Sequence, residues 1–246
     1  PVVIDVTGGL EDAPNARLRA PFAEPAGYAV PSGAIHVVAQ PAAIALAMVL
    51  TRLHATHPIR SSVVQLFEPA SERGQRGIDE LHQQTVNLLS FKALPKEVYD
   101  AQLGFNILAR FGEEAPQSLE DAELRIERHL ASLLAIEGKV PPPSLRLIQA
   151  PVFHGYSASI RVEFETNPGA ETIEKTLASE HIDVRGAGFD PPSNVGMAGV
   201  SGISVGAIST DRNQPRAAWL FMAADNYTLV AENAIGIARS LIAEAE

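Results

Sequence analysis

The sequence contains no cysteine in 246 residues, which excludes disulfides, thiolate metal ligands and any thiol nucleophile. It holds one tryptophan and has no uninterrupted apolar run near the roughly 20 residues that span a bilayer. No charged and apolar signal-peptide pattern opens it, so a cytosolic protein is the expectation. Cations are also scarce. Nineteen lysines and arginines face 29 carboxylates, and a net charge of −10 offers no footprint for a nucleic-acid backbone or an anionic membrane. What is abundant is ordinary core material, at 46% apolar residues, in a chain long enough for one large domain or one and a half.

The chain opens PVVIDVTGG. Val2 to Val6 reads as a buried strand, and a core strand begun so abruptly is expected to follow further residues of the same domain. A polar, proline-dotted connection runs to about Ser32. Ile35 to Ala39 reads as a second strand; Pro41 suits the first turn of a helix, and Ala42 to Leu53 is apolar nearly all round, hence a buried helix. Further strands are expected at Ser62 to Phe67, Phe105 to Ala109, Leu145 to Gln149, Ser157 to Glu165, Ile182 to Val184, Ile203 to Ser209 and Ala217 to Ala224. Helices are expected over Gly77 to Ser90, with Ile78, Leu81, Thr85, Leu88 and Leu89 inward, and over Glu120 to Ile136, with Leu124, Leu130, Leu133 and Leu134 inward. Two more cover Glu171 to Glu180 and the segment from Leu229 through Val230, Ala234, Ile237 and Leu241 to Ile242. This is an α/β or α+β plan built on a mixed sheet, without repeats.

Several stretches resemble chemical motifs and fall short of them. His54 and His57 have a helical metal spacing but no third ligand nearby, so no metal site is expected. Gly155-Tyr156-Ser157-Ala158-Ser159 lacks the closing glycine of a nucleophile elbow and runs into a strand. In GAGFDPPSNVGMAGVSG the pair Pro191-Pro192 interrupts the glycines and no helix opens after them, which fails the dinucleotide fingerprint. Glu68 with Glu72, and Glu113 with Glu114, are read as solvated faces of an acidic protein.

Four segments in order, VVQLFEPASERGQRGIDELHQQT, FNILARFGEE, APVFHGYSASIRVEFE and AADNYTLVAENAIGIA, resemble the aspartate-semialdehyde dehydrogenase family over essentially the whole chain. The resemblance implies an α/β fold whose mixed-sheet dimerisation domain is of the semialdehyde dehydrogenase or glyceraldehyde-phosphate dehydrogenase-like type, with the remnant of an N-terminal Rossmann domain. Residues 1–40 would be that remnant, 41–227 the catalytic-like and dimerisation domain, and 228–246 a helix returning to the nucleotide-binding part. A homodimer through the sheet is implied, with another protein as a further candidate partner.

Enzymes of the family carry Asn-Pro-Asn-Cys with the cysteine at a helix start, where the helix N-terminus stabilises a thiolate. The matching residues are Gln40-Pro41-Ala42-Ala43. Glu68 matches a glutamine that orients the acyl intermediate. Gln149 stands for the arginine that takes the substrate carboxylate and Tyr156 for the general-base histidine, while His154 is the one nearby imidazole able to deputise. Glu11 falls on a phosphate-binding arginine and Glu123 on a substrate-site lysine. Thr228-Leu229-Val230-Ala231 replaces a cationic segment near the cofactor, so none is expected in this chain, NADP or NAD being possible only through an absent N-terminal domain. A glutamate in place of a cation repels a phosphate by about 1–4 kcal/mol per contact, and loss of a covalent nucleophile costs on the order of a million-fold in a comparable hydrolase. The sequence therefore resembles the Usg-type, dehydrogenase-like subgroup that lacks the catalytic cysteine. Its expected role is that of an inactive binding or interaction protein, the alternative being an NAD(P)-dependent oxidoreductase with an altered substrate or mechanism.

Overall fold

The computed structural model describes residues 2–243 except 26, 137 and 139. Two sheets organise it. Strands β1 (Val3–Asp5), β2 (Ala16–Arg19) and β3 (Ile35–Val38) form a parallel Rossmann-like sheet in the order β1-β3-β2. β4 (Ile59–Glu68), β5 (Ser144–Gln149), β6 (Tyr156–Phe164), β7 (Ile182–Arg185), β8 (Ile203–Thr210) and β9 (Ala217–Ala224) form a mixed sheet in the order β5-β4-β6-β9-β8-β7. The outer pairs β4/β5 and β7/β8 are parallel and the inner ones antiparallel.

Helix α1 (Pro41–Thr56) joins the sheets. Proline fills its first position, Gln40 caps it, and every residue from Pro41 to Thr51 is buried. A helix apolar on all sides needs neighbours on all sides, and α1 packs on α3 (Leu119–Ile136), α4 (Ala170–Leu177) and α6 (Asn226–Ala243). The alternation of β6, with Ala158, Ile160 and Val162 buried and the residues between them half-buried, turns one sheet face to this core. α6 also lies against β1 and β3.

Between α2 (Gly74–Leu89) and α3 runs a long irregular segment. Two buried side chains of α2, one turn apart, hold it: Glu80 accepts from Val98 N at 2.7 Å, while Gln84 accepts from Leu103 N at 2.6 Å and donates to Pro95 O at 2.7 Å. The strand expected at Phe105 to Ala109 is absent. Leu108 alone bridges Gln149, because the turn from Leu103 to Asn106 puts Phe105 in left-handed backbone with φ 58°, which no strand tolerates.

Other expectations are corrected too. Val2, Val3 and Val6 are exposed, so the first strand is no core strand. The connection after it contains β2, hidden in the charged sequence Ala-Arg-Leu-Arg. Leu124 and Leu89 face solvent; Ile126 and His129 take the inward stripe of α3, and α2 runs past the core at its end. The glycine-rich loop holds a one-turn helix, α5 (Asn194–Met197), capped by Ser193. The helix expected to reach Glu180 stops at Leu177, where Ala178 turns extended. Among the described residues no helix is long and apolar enough to cross a membrane.

Candidate functional site

Gln40, the cap of α1, ties the start of that helix to the first residue of β6 and to α3. Its Oε1 accepts from Ala43 N at 3.2 Å, and its Nε2 donates to the Tyr156 hydroxyl at 2.7 Å. Its backbone N–H donates to His129 Nδ1 at 3.0 Å. The donor of the first helical turn that would support an anion at position 43 is thus taken by the chain's own amide. Ala43 is 0% exposed.

Behind this link lies a cluster of ionisable groups. Glu68, 1% exposed, pairs with Arg73 Nη2 at 2.5 Å. Burial pushes its carboxyl up to about 7; Arg73 pulls it down, and the neighbouring Glu72 charge pushes it further up. Glu72 is raised by burial as well and accepts from Asn226 Nδ2 at 2.8 Å. Asn226 Oδ1 takes donors from Ser71 Oγ at 3.1 Å and Gly155 N at 3.3 Å. The hydroxyl of Tyr156 faces both carboxylates, and burial followed by their two charges lifts it well above the usual phenol range. The reading of Glu68 and Glu72 as a solvated face is therefore corrected: charge pattern along the chain does not register a counter-ion at Arg73 or a partner at Asn226. Glu113 and Glu114 are exposed as expected.

The remaining positions separate. Gln149, fully buried, donates to Glu68 O at 2.8 Å and Ala150 O at 3.1 Å, and among the described residues its Oε1 has no partner. His154, the imidazole expected to deputise for the base, lies in the exposed turn before Gly155, which has φ 80°, outside strand β6; its ring stands 6.0 Å from that of Tyr227. Glu123 turns to the sheet and accepts from Leu147 N at 2.5 Å. Glu11 meets two arginines and an imidazole: Arg125 Nε at 2.7 Å, Arg128 Nη2 at 2.5 Å and His129 Nε2 at 3.2 Å. Burial alone would raise Glu11, but the charges of His129 and Arg125 outweigh it and hold the carboxyl below its ordinary range. His54 accepts from Ile59 N at 3.1 Å and His57 contacts Thr176 Oγ1 at 3.2 Å. Among the described residues no group of three or more histidines and carboxylates is placed to hold a metal.

Sequence reasoning did not single out Arg73, His129, the Gln40 side chain or Asn226. His129 did leave a signal, since it interrupts the apolar stripe Ile126, Leu130, Leu133 of α3 with a polar group that has to be satisfied.

A model described as the semialdehyde dehydrogenase dimerisation domain matches residues 50–229. The chain belongs to the semialdehyde dehydrogenase family. An aspartate-semialdehyde dehydrogenase of Rickettsia bellii is 27% identical over 206 residues, 81% of this chain and 60% of that protein. A USG-1 protein homolog of Pseudomonas aeruginosa is 30% identical over 230 residues, 91% of this chain and 66% of its own length. The chain thus spans less than two thirds of either relative. The solved structure of a probable aspartate-semialdehyde dehydrogenase from Pseudomonas aeruginosa, 29% identical, superposes with a TM-score of 0.83 over 98% of this chain and 72% of its own.

The family's nucleotide side finds little support in these residues. In the first turn of α6 Leu229 is buried, and Asp225 caps the turn by accepting from Thr228 N at 2.8 Å and Gly199 N at 3.2 Å. Burial would raise Asp225, yet those backbone donors hold it below the usual carboxylate range, so the turn carries an anion and residues 228–231 bring no cation to it.

Proposed function

We propose that this protein is a catalytically silent member of the aspartate-semialdehyde dehydrogenase-like family that acts as a dimeric binding or interaction protein. One observation carries the reading: position 43, at the head of the helix where a thiol would stand, is a methyl group sealed from solvent behind the bond between Gln40 and Tyr156. Replacement of the base position by Tyr156, which holds its proton far above neutral pH, and of the phosphate position by Glu11 points the same way. On this reading residues 1–40 belong to a nucleotide-binding-type lobe, 41–227 to the catalytic-like and dimerisation unit, and 228–246 to a helix that returns to the first lobe. The packing of α6 on β1 and β3 supports the last part.

The dimer would form on the outer face of the mixed sheet, where Val63, Trp219 and the half-buried Phe67 and Phe221 alternate with core residues. An apolar sheet face left open is otherwise an aggregation hazard. Assay of the protein with aspartate semialdehyde, phosphate and NADP tests the proposal; turnover well above background overturns it.

One observation favours a second reading. A carboxyl near 7 beside a tyrosine suits general acid or base work, so Glu68 would serve an oxidoreductase acting on another substrate. Abolition of an aldehyde-dependent activity in Glu68→Ala, with folding intact, would select it.

A further inference from the structure

Away from the cluster around Ala43, a cavity of about 560 Å³ opens where the segment after β2 meets the connection from α4 to β7, over the second half of α1. Arg52, on its wall, lies nine residues beyond Ala43 in α1, about 13 Å along the helix. Phe22, Met48 and Ile182 give it an apolar lining. Small-molecule sites are concavities of this order of size, mostly apolar, with a few polar groups held in fixed positions.

The walls are braced by the chain itself. Phe22 N donates to Oδ1 of Asn233, a fully buried residue of α6, at 3.1 Å. Glu24 accepts from Arg19 Nε at 2.9 Å and from Ala20 N at 2.7 Å, which ties the segment back to β2 and neutralises that carboxylate. Across the cavity the His181 carbonyl accepts from Ile203 N at 2.9 Å, fixing the connection to the sheet. The Phe22 and His181 rings stack at 3.8 Å and 10°, and both residues are half-buried and line the space. A further planar ring gains from contact with such a pair beyond the area it buries.

Arg52 supplies the charge. Its Nε donates to Thr176 O at 2.6 Å and its Nη2 to Ala178 O at 3.0 Å, which holds the guanidinium at the end of α4 and leaves it further N–H donors. Among the described residues it enters no ion pair. The acids of the cavity do not answer it: Glu24 is spent on Arg19, and Glu180 sits exposed in the turn before His181. We infer that this cavity is a binding site for a small aromatic carboxylate, with the ring against Phe22 and His181 and the carboxylate on Arg52. The site is separate from the one at Ala43 and stands whether or not the protein is catalytically silent.

Isothermal titration with naphthoate tests it, with cyclohexanecarboxylate, naphthalenemethanol and naphthylmethylamine as controls. Naphthoate should bind as one equivalent and roughly fivefold or more tightly than each control. Arg52→Gln should remove its advantage over the alcohol, and Phe22→Leu its advantage over cyclohexanecarboxylate. Thr56→Trp, which fills the cavity from an exposed position on its rim, should abolish binding at an unchanged melting temperature, so the outcome does not hang on Arg52→Gln keeping α4 in place. Absence of saturable binding at millimolar naphthoate overturns the inference, as does binding that Arg52→Gln and Thr56→Trp leave unaltered. Tighter binding of the amine overturns it too, since Glu180 rather than Arg52 would then select the ligand.

Discussion

Ala43→Cys restores the family nucleophile in one step and should produce neither an enzyme nor a reactive thiol. The position is fully buried, so the added sulfur has to displace its neighbours. Overpacking of this kind costs about 1–3 kcal/mol, and at roughly 2–4 °C per kcal/mol for a chain of this size the melting temperature should fall by roughly 2–12 °C. Ionisation is opposed as well. The Ala43 N–H already donates to Gln40 Oε1 and the Ile44 N–H to Gln40 O, so a thiolate would enter a dry site with its nearest donors spent. If the site opens against about 4 kcal/mol, labelling by a disulfide reagent should run roughly a thousandfold slower than at an exposed thiol. Thiol labelling of Ala43→Cys against Ser132→Cys, at an exposed position of α3, in the native protein, with melting curves for both, measures each quantity. Labelling within tenfold of the exposed control, at an unchanged melting temperature, would refute the closed site.

Two other expectations follow from single residues. Glu68 is held up to about 7 against an ordinary 4.5, so the folded protein keeps a proton that the unfolded chain releases; its contribution is fully present below about pH 4.5 and is lost as pH rises through 7. Urea stability should therefore decline from pH 5 to 8 by up to about 3 kcal/mol relative to Glu68→Gln, and parallel profiles for the two proteins would contradict the assignment. Gly77→Ala, normally a gain of about 1 kcal/mol within a helix, should instead destabilise by about 2 kcal/mol or more, because the new Cβ would lie 2.5 Å from Ala70 O and 2.7 Å from Tyr99 Oη; a raised melting temperature would show that the helix can shift.

Local pattern carried the parts of the fold whose cause is local. Pro41 followed by an all-apolar run announces α1, and the alternation of Tyr156 to Phe164 announces β6. The chain resemblance located positions 43, 68, 149 and 156, and the structure brings Gln40, Glu68 and Tyr156 into one cluster around Ala43. What stayed hidden depends on partners far away in sequence. Gln40 and Tyr156 meet across 116 residues, and Glu72 and Asn226 across 154. No periodicity encodes such meetings, so Glu68 and Glu72 read as solvated although the tertiary fold turns both inward to partners, whereas Glu113 and Glu114, with the same look in sequence, are exposed. Phe105 to Ala109 fails as a strand for the opposite reason: its composition is apolar, but a single positive φ breaks the register.

Gln40 engages three separate segments at once, through its backbone N–H, its amide oxygen and its amide nitrogen. Introducing a thiol at position 43 with a free helix terminus would mean releasing that amide as well, since either change alone leaves a buried polar atom stranded or a sulfur without room. The glutamine is thus a brace whose loss is felt by all its partners together, so this corner of the fold should tolerate paired substitutions better than single ones.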